Sequence, residues 1–267
     1  IGLSNETVSE TMEQKVAAVH SDTDREQVAR EFDRYGYEML PVIDSSNRLL
    51  GIITVDDVID IIEEEQTEDV QKTVGAGAGE AVYSGLGEKL KGRMPWLIVS
   101  AIMMLPATYI VLGFESLIKE VALLAVFMPL IAALAGNAGH QALAVTLRGI
   151  VLDEVRRDRI MPLMRRELIV GLLAGITIGG CVALLLWVFG NEPLATKLGV
   201  IVACAMVVSM GIGTFTGAAI PLIMRRVGAD PAQASAIFLI MVTDAVAFST
   251  LLGFAYISFT WMQGTTS

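Results

Sequence analysis

The stretch AQASAIFLIMVTDAVAFSTLLGFAYISFTWM, residues 232–262, decides the fold of this chain. A helix of this length rises about 46 Å, which is enough to cross a lipid bilayer. Asp244 is the only formally charged residue within it. A carboxylate at mid-depth costs about 3 kcal/mol on insertion scales, and helix packing gives no reason to keep one there. We therefore predict a membrane span whose carboxylate lies toward the bundle interior or a water-filled cavity and meets a cation or a proton.

Charge and apolar content divide the 267 residues into two parts. Residues 1–70 contain 18 Asp and Glu against 5 Lys and Arg, whereas residues 71–267 have a net charge of +3. The composition predicts a multi-domain membrane protein with a short acidic soluble part and a long apolar part. Nucleic acid is excluded as a partner of the acidic part because two polyanions repel each other, and cations are favoured.

Four further apolar runs precede the quoted stretch, and each is long enough to cross the bilayer. The sequence thus predicts an all-α bundle of five transmembrane helices in a domain covering residues 93–267. The four runs are Met94–Leu112, about Ile118–Leu147, Leu168–Gly190 and about Leu198–Met224.

Lys and Arg are distributed unequally between the two ends of these spans. Eleven lie before the first span or in the loops after the second and fourth spans, and only Lys119 and Lys197 lie at the opposite ends. Because cytoplasmic loops carry the excess of basic residues, the acidic part is predicted to be cytoplasmic and the C-terminus external. The expected location is a bacterial inner membrane.

The second span contains an unusual polar segment, GNAGHQ at residues 136–141. Pro129 lies about two turns before it and is expected to bend the helix. We interpret the segment as loosely wound, so that the Gly136 and Gly139 carbonyls and the Asn137 amide offer hard oxygen ligands to Mg²⁺ or its water shell. The alternative is a close helix crossing made by small residues. For GIGTFTG at residues 211–217, close packing is favoured over pore lining.

The soluble part, residues 1–62, is predicted to alternate helix and strand. MLPVID at 39–44 followed by LLGIITVDDVIDII at 49–62 resembles a CBS motif, the second of a tandem pair whose first copy is absent. The expected elements are a strand at Val16–Val19, a helix at Asp22–Arg34 capped by Ser21 or Asp22, strands at Met39–Ile43 and Leu49–Ile53, and a helix that opens at Asp56–Ile62.

Thr54 and Asp57 allow two interpretations. Their spacing fits an N-terminal helix cap. In CBS proteins that bind adenine nucleotides, a Thr and an Asp at this spacing contact the ribose, so the resemblance makes ATP a candidate ligand.

An acidic run follows the motif and opens a connecting segment assigned to residues 63–92. Eight of the fourteen residues 56–69 are carboxylates. Like charges at helical spacing repel, and divalent cations between such faces would relieve the repulsion. The run is therefore predicted to sense a cation through side chains that include Asp56, Asp57, Asp60, Glu63 and Glu64.

Taken together, these features resemble the MgtE family of magnesium channels. GNAGHQALAVTLRG at 136–149 and DPAQASAIFLIMVTDAVAF at 230–248 are similar to its signatures on the second and fifth spans. The resemblance implies a homodimer with a pore at its axis and a hydrated Mg²⁺ held by Asp244 and by the Ile240 backbone carbonyl. Ala236 stands where some members have Asn, and His140 where others do. The resemblance also implies that residues around 56–75 act as a plug.

The function predicted is a Mg²⁺ channel in the lipid bilayer that takes up hydrated Mg²⁺ along the membrane potential and closes when cytosolic Mg²⁺ binds the acidic faces. The chain lacks a GxxxxGK[ST] phosphate loop, so no ATP hydrolysis, and no enzyme activity, is expected. One alternative is a broader divalent cation transporter, or one coupled to H⁺ or Na⁺. The other is a membrane-anchored CBS sensor of nucleotide or Mg²⁺.

Overall fold

A computed structural model describes residues 16–77, 79–190, 193–233 and 235–264. The chain forms two compact units, and the division falls between Glu68 and Asp69. An α/β region that contains strands comes first, and a helical region follows. The sequence-based fold class, a CBS motif followed by an all-α membrane bundle, is confirmed.

The first unit contains a three-stranded sheet in the order β1-β2-β3. Strand β1 pairs parallel with β2, and β2 pairs antiparallel with β3. A parallel pair needs a crossover, which helix α1 supplies between β1 and β2. The elements in chain order are β1 Val19–His20, α1 Arg25–Tyr35, β2 Met39–Ile43, β3 Leu49–Thr54 and α2 Val55–Thr73.

Two expected boundaries in this unit are wrong. Strand β1 begins at Val19 and not at Val16. Helix α1 begins at Arg25 and is capped by Asp24, whose Oδ1 accepts a hydrogen bond of 2.9 Å from the backbone N–H of Glu26. The preceding residues form a turn closed by a bond from Thr23 N to His20 O, so Ser21 and Asp22 cannot cap the helix.

One side of the sheet forms the core of this unit. Val28, Ala29 and Phe32 of α1 are buried against Leu40 of β2. Val58 joins them from the first turns of α2. This packing fixes the start of α2, whose opposite side remains exposed.

The second unit is helical and includes the five candidate spans found among the described residues, as predicted. Its elements are α3 Leu86–Met103, α4 Leu105–Gly113, α5 Glu115–Glu120, α6 Leu123–Val151, a 3₁₀ turn Arg157–Arg159, α7 Ile160–Phe189, α8 Pro193–Arg226 and α9 Ser235–Gly264. The spans are Leu86–Gly113, Leu123–Val151, Ile160–Phe189, Leu194–Arg226 and Ser235–Thr260.

Several span limits differ from the apolar runs. The first span is broken at Met104, where Pro106 lies at the second position of α4 and cannot donate to the preceding turn. The second span begins at Leu123, because residues 115–120 form the separate short helix α5. The third span begins eight residues before Leu168, so Arg165 and Arg166, expected in a loop, lie on the first turns of α7.

Helix α8 is the centre of the bundle and the most buried of the five spans. Val202 and Met206 of α8 are fully buried in a cluster with Leu124 and Ile131 of α6 and Leu251 of α9. Helix α8 thereby fixes the relative positions of α6 and α9, which carry the two polar features of the membrane part.

Helix α6 is regular throughout residues 123–151, which include GNAGHQ. The expectation of a loosely wound segment is wrong, since its backbone stays in the helix. His140 Nδ1 lies 2.7 Å from Gly136 O, and in the Nδ1-protonated form it donates a second hydrogen bond to that carbonyl. The bend expected at Pro129 stays a prediction.

Candidate functional site

Glycines bring α6, α8 and α9 into close contact. A Cβ on Gly139 would lie 2.9 Å from Gly213 O, and a Cβ on Gly217 would lie 2.1 Å from Gly139 O. Only glycine allows the α6 and α8 backbones to approach this closely. The prediction that GIGTFTG serves close packing is confirmed for Gly213 and Gly217, and the close-crossing interpretation of Gly139 is confirmed as well.

Helix α9 packs antiparallel to α6. Thr243 lies opposite Gly136, since Thr243 Oγ1 is 3.8 Å from the position of a Cβ on Gly136. Farther along, Leu239 lies against Gly139, and Leu143 of α6 shares a buried cluster with Leu239. Residue numbers rise on α6 as they fall on α9, which defines the direction of the pair.

This register places the two candidate polar groups at the same depth. Asn137 follows Gly136 on α6, and Asp244 follows Thr243 on α9, so they lie within about 3 Å of each other along the helix axes. Asn137 is exposed, and Asp244 is half-buried. Ile240, one turn before Asp244 on the same side of α9, is 40% exposed. These three residues lie on the sides of α6 and α9 that face away from the tightly packed contact between the two helices.

The Asp244 carboxylate has neither a hydrogen bond nor an ion pair within the described part of the chain. Carboxylates inside membranes are normally paired, because the bilayer does not solvate their charge. An unpaired carboxylate on a half-exposed helix side can accept hydrogen bonds from a water-filled space or from the water shell of a cation. It supplies one negative charge for that purpose.

The other candidate groups in the membrane part lie differently. The Gly136 carbonyl meets the His140 ring, and the Gly139 carbonyl lies against α8 at Gly217. Ala236 is buried against Leu143 and Leu239, so the site near Asp244 has no side-chain amide from that position. Asn137 is therefore the outward polar group that GNAGHQ contributes nearest to Asp244.

No group of three or more His, Cys, Asp or Glu side chains in a metal-holding arrangement is found among the residues that the structure describes. One carboxylate and one amide from a single chain cannot fill the six positions of Mg²⁺. They can bind its water shell, and a second copy of the chain would double the charge.

The acidic run lies on helix α2. The five candidate carboxylates are all exposed, and Asp56, Asp60 and Glu64 follow one another at four-residue spacing on one side. Glu64 is paired with Arg25 at 3.2 Å. Asp60 lies one turn before Glu64 on that side, and Glu63 lies three residues after Asp60, so their like charges are neighbours on the helix, and their mutual repulsion is the kind that a divalent cation relieves.

Thr54 and Asp57 form the cap of α2. Asp57 Oδ2 accepts hydrogen bonds from the Thr54 hydroxyl at 2.7 Å and from the Thr54 backbone N–H at 2.9 Å. The Thr54 hydroxyl and N–H hold the pKa of Asp57 below its usual range. The capping interpretation is thus confirmed. A role in nucleotide binding stays a prediction.

We expect Asp57→Ala to loosen the first turn of α2, because it removes both bonds to Thr54. Hydrogen exchange of the amides at residues 54–58 should accelerate several-fold, with little change in α1. In the wild type, the stabilisation is present above the usual Asp pKa and is lost as pH falls through the lowered pKa of the folded state. Unchanged exchange in the variant would contradict the cap, and loss of ATP binding in the variant would support the nucleotide role.

Sequence reasoning missed a glycine stripe on α7. A Cβ on Gly171 would lie 2.5 Å from Met210 O, one on Gly175 would lie 2.5 Å from Val207 Cα, and one on Gly179 would lie 3.0 Å from Ala203 Cα. The four-residue spacing GxxxGxxxG was visible in the sequence and is a known signal of close helix pairs in membranes.

Comparisons with known proteins match both parts of the chain. The model of the MgtE family, described as a divalent cation transporter, matches residues 128–254, and the CBS domain model matches residues 8–64. The first match includes the whole contact of Gly136, Gly213 and Thr243, together with Asp244.

Three curated relatives carry the name magnesium transporter MgtE. The protein of Bacillus subtilis is 32% identical over 255 residues, 96% of this chain and 56% of that protein. That of Enterococcus faecalis is 33% identical over 238 residues, 89% and 51% of the two chains. That of Thermus thermophilus is 34% identical over 230 residues, 85% and 50%.

The chain spans about half the length of the curated relatives it matches. The similarity extends through both its CBS domain and its membrane helices. Residues 128–254 therefore match the MgtE domain of divalent cation transporters, and residues 8–64 match a CBS domain.

Proposed function

We propose that this chain forms a Mg²⁺ channel that takes up hydrated Mg²⁺ along the membrane potential. The observation that carries the proposal is the Asp244 carboxylate, which is half-exposed on a membrane span, has no partner among the described residues and lies at the depth of the outward Asn137. The names of the relatives support Mg²⁺ as the ion. The bilayer would be a bacterial inner membrane, with the CBS part cytoplasmic and the C-terminus external.

The physics of Mg²⁺ favours binding through water. Mg²⁺ gives up its water shell reluctantly, so a site with few protein ligands retains most of the waters. In a homodimer with the pore at its axis, two Asp244 side chains would repel each other unless a cation lay between them. A divalent ion removes that repulsion, and the transmembrane potential supplies about 4.6 kcal/mol per 100 mV for two charges.

The contacts at the C-terminal end of α2 bear on how the pore would be regulated. Lys72 Nζ lies 3.3 Å from Asp230 Oδ2 in the loop before α9. Gln71 Nε2 donates to Glu80 O at 2.8 Å, and the Glu80 carboxylate is paired with Arg93 of α3. The Arg93 side chain holds the pKa of Glu80 below its usual range, so this pair stays charged at neutral pH. These contacts support a role for α2 as the plug, closed when cytosolic Mg²⁺ binds its acidic side.

Neutralising the acidic side of α2 should weaken the inhibition of Mg²⁺ flux by cytosolic Mg²⁺. The variant Asp56→Asn, Asp60→Asn, Glu63→Gln removes three exposed carboxylates and leaves the Asp57 cap and the Glu64 pair intact. We expect inhibition by cytosolic Mg²⁺ to require about tenfold more Mg²⁺, since each lost charge pair near a surface is worth several tenths to 1 kcal/mol. Flux in inside-out vesicles with varied cytosolic Mg²⁺ measures this.

A matched control removes the same charge elsewhere in the first unit. Asp22→Asn, Asp33→Asn, Glu38→Gln changes three exposed carboxylates that lie outside α2. It should leave the inhibition curve in place. If both triple variants behave like the wild type, the sensor lies elsewhere than on this side of α2, and the regulatory part of the proposal fails.

Growth of a bacterial host that lacks its own Mg²⁺ uptake tests the transport activity. Expression of the chain should restore growth at low external Mg²⁺, and rescue should follow the amount of protein in the membrane. Absence of rescue with folded protein in the membrane would contradict the proposal and would favour the membrane-anchored sensor.

A further inference from the structure

Thr243 is the buried polar side chain directly before Asp244, and nothing in the proposed function uses it. We propose that Thr243 is a positioning residue that sets how strongly Asp244 and the Ile240 carbonyl bind the hydrated cation. The proposal rests on the proposed function, because it concerns the ion site described there.

The first part of the argument is packing. Thr243 is fully buried. Its Cγ2 lies 3.5 Å from the position of a Cβ on Gly213, and its Oγ1 lies 3.8 Å from that on Gly136. The side chain therefore occupies the space that these glycines leave between α6 and α8. Successive residues are about 100° apart around a helix, so holding Thr243 in this space fixes the direction of Asp244.

The second part is the hydroxyl. Thr243 Oγ1 lies 3.0 Å from Leu239 O and 3.1 Å from Ile240 O. A hydroxyl has one proton, so it donates fully to one carbonyl at a time or shares the proton between them. Both acceptors also receive a bond from the helix backbone. When the Thr243 hydroxyl donates a hydrogen bond to the Ile240 carbonyl, it therefore occupies the second lone pair of that oxygen.

The consequence follows from the position of Ile240. Its carbonyl belongs to the turn before Asp244, on the side of α9 where Ile240 is exposed and Asp244 is half-buried. A carbonyl that already accepts a hydrogen bond from the Thr243 hydroxyl is a weaker acceptor for the water shell of a cation. The hydroxyl therefore lowers affinity for the ion and favours its release, which a conducting site requires.

Buried Thr side chains in helices commonly donate to the carbonyl three or four residues earlier, with no further role. A purely structural role predicts that removing the hydroxyl leaves ion affinity unchanged. Two measurements distinguish a purely structural role from a role in ion affinity. They are the half-saturating Mg²⁺ concentration for flux and the rescue of that value by a variant that retains the hydroxyl.

The test compares Thr243→Val, which keeps the shape and removes the hydroxyl, with Thr243→Ser, which keeps the hydroxyl. We expect Thr243→Val to lower the half-saturating Mg²⁺ concentration for flux about threefold to tenfold, the effect of one hydrogen bond, without raising the maximal rate. Thr243→Ser should remain within about twofold of the wild type, because one methyl group is lost but the donor is kept.

Equal half-saturating concentrations in Thr243→Val and the wild type would overturn the proposal. If Thr243→Val fails to fold, Thr243→Cys replaces it, because a thiol has a similar size and is a weak donor; the same shift is then required of it. Asp244→Asn, measured in parallel, separates the two claims. Loss of flux in Asp244→Asn with no shift in the Thr243 variants removes only the role of Thr243, whereas wild-type flux in Asp244→Asn removes the proposed function.

Discussion

Asp244→Ala is expected to abolish Mg²⁺ uptake while leaving the protein folded in the membrane. Asp244 has no hydrogen-bonding or ion-pair partner in the described residues, so its removal breaks no contact of the fold. Two unit charges 4 Å apart interact by about 4 kcal/mol at an effective dielectric constant of 20, and Mg²⁺ carries two charges. Even through a water layer, we expect uptake to fall by more than about tenfold, measured with a Mg²⁺-sensitive dye in vesicles.

The control for this variant is a carboxylate outside the bundle interior. Asp158→Asn removes an exposed charge in the 3₁₀ turn that is paired with Arg156. It should retain uptake close to that of the wild type. Asp244→Glu should retain part of the activity, because the charge remains but the side chain is longer. Normal uptake in Asp244→Ala would end the assignment of Asp244 to the ion path.

Gly175→Val is expected to prevent the α7–α8 pair from packing. A Cβ on Gly175 lies 2.5 Å from Val207 Cα and 2.9 Å from Met206 O, which are backbone atoms that cannot turn aside. Overpacking typically costs about 1–3 kcal/mol, and contact with backbone places this variant at or above the upper end. The yield of folded protein in mild detergent should fall sharply, and its thermal unfolding temperature should decrease by several degrees.

Gly180 supplies the matched control on the same helix. A Cβ on Gly180 meets no atom within 4 Å, so Gly180→Val adds a side chain into open space. Its stability in detergent should stay near that of the wild type. Similar losses in both variants would mean that Val disturbs α7 wherever it is placed, and the close contact at Val207 would not explain the effect.

Much of the fold was predictable because the bilayer imposes a simple rule. A span must be long and apolar, so five runs were recognised in the correct order. Their limits were less accurate, since α7 extends to Ile160 through Arg165 and Arg166. Long basic side chains at a helix end can remain in the polar interface, and apolar content therefore underestimates helix length.

The site was predictable in part. The sequence singles out Asp244 by the cost of a carboxylate in a membrane and Asn137 by its amide oxygen, both of which depend only on residue type. Their binding of an ion stays a prediction. The contact between Gly136 and Thr243 could not be predicted from the sequence, because it depends on which helices meet and in what register. The same applies to GNAGHQ. Its glycines suggest a loose backbone, but the segment lies within a helix that packs closely against α8 at Gly139.

The most direct test of the account is Mg²⁺ uptake into liposomes that contain the purified protein, driven by a K⁺ diffusion potential alone. The pH and the Na⁺ concentration are equal on both sides, and liposomes with Asp244→Asn are measured in parallel. The account predicts uptake that begins when the inside becomes negative, increases with the potential and is lost in Asp244→Asn. Uptake that appears only after a pH or Na⁺ gradient is added would contradict it and would show a coupled transporter.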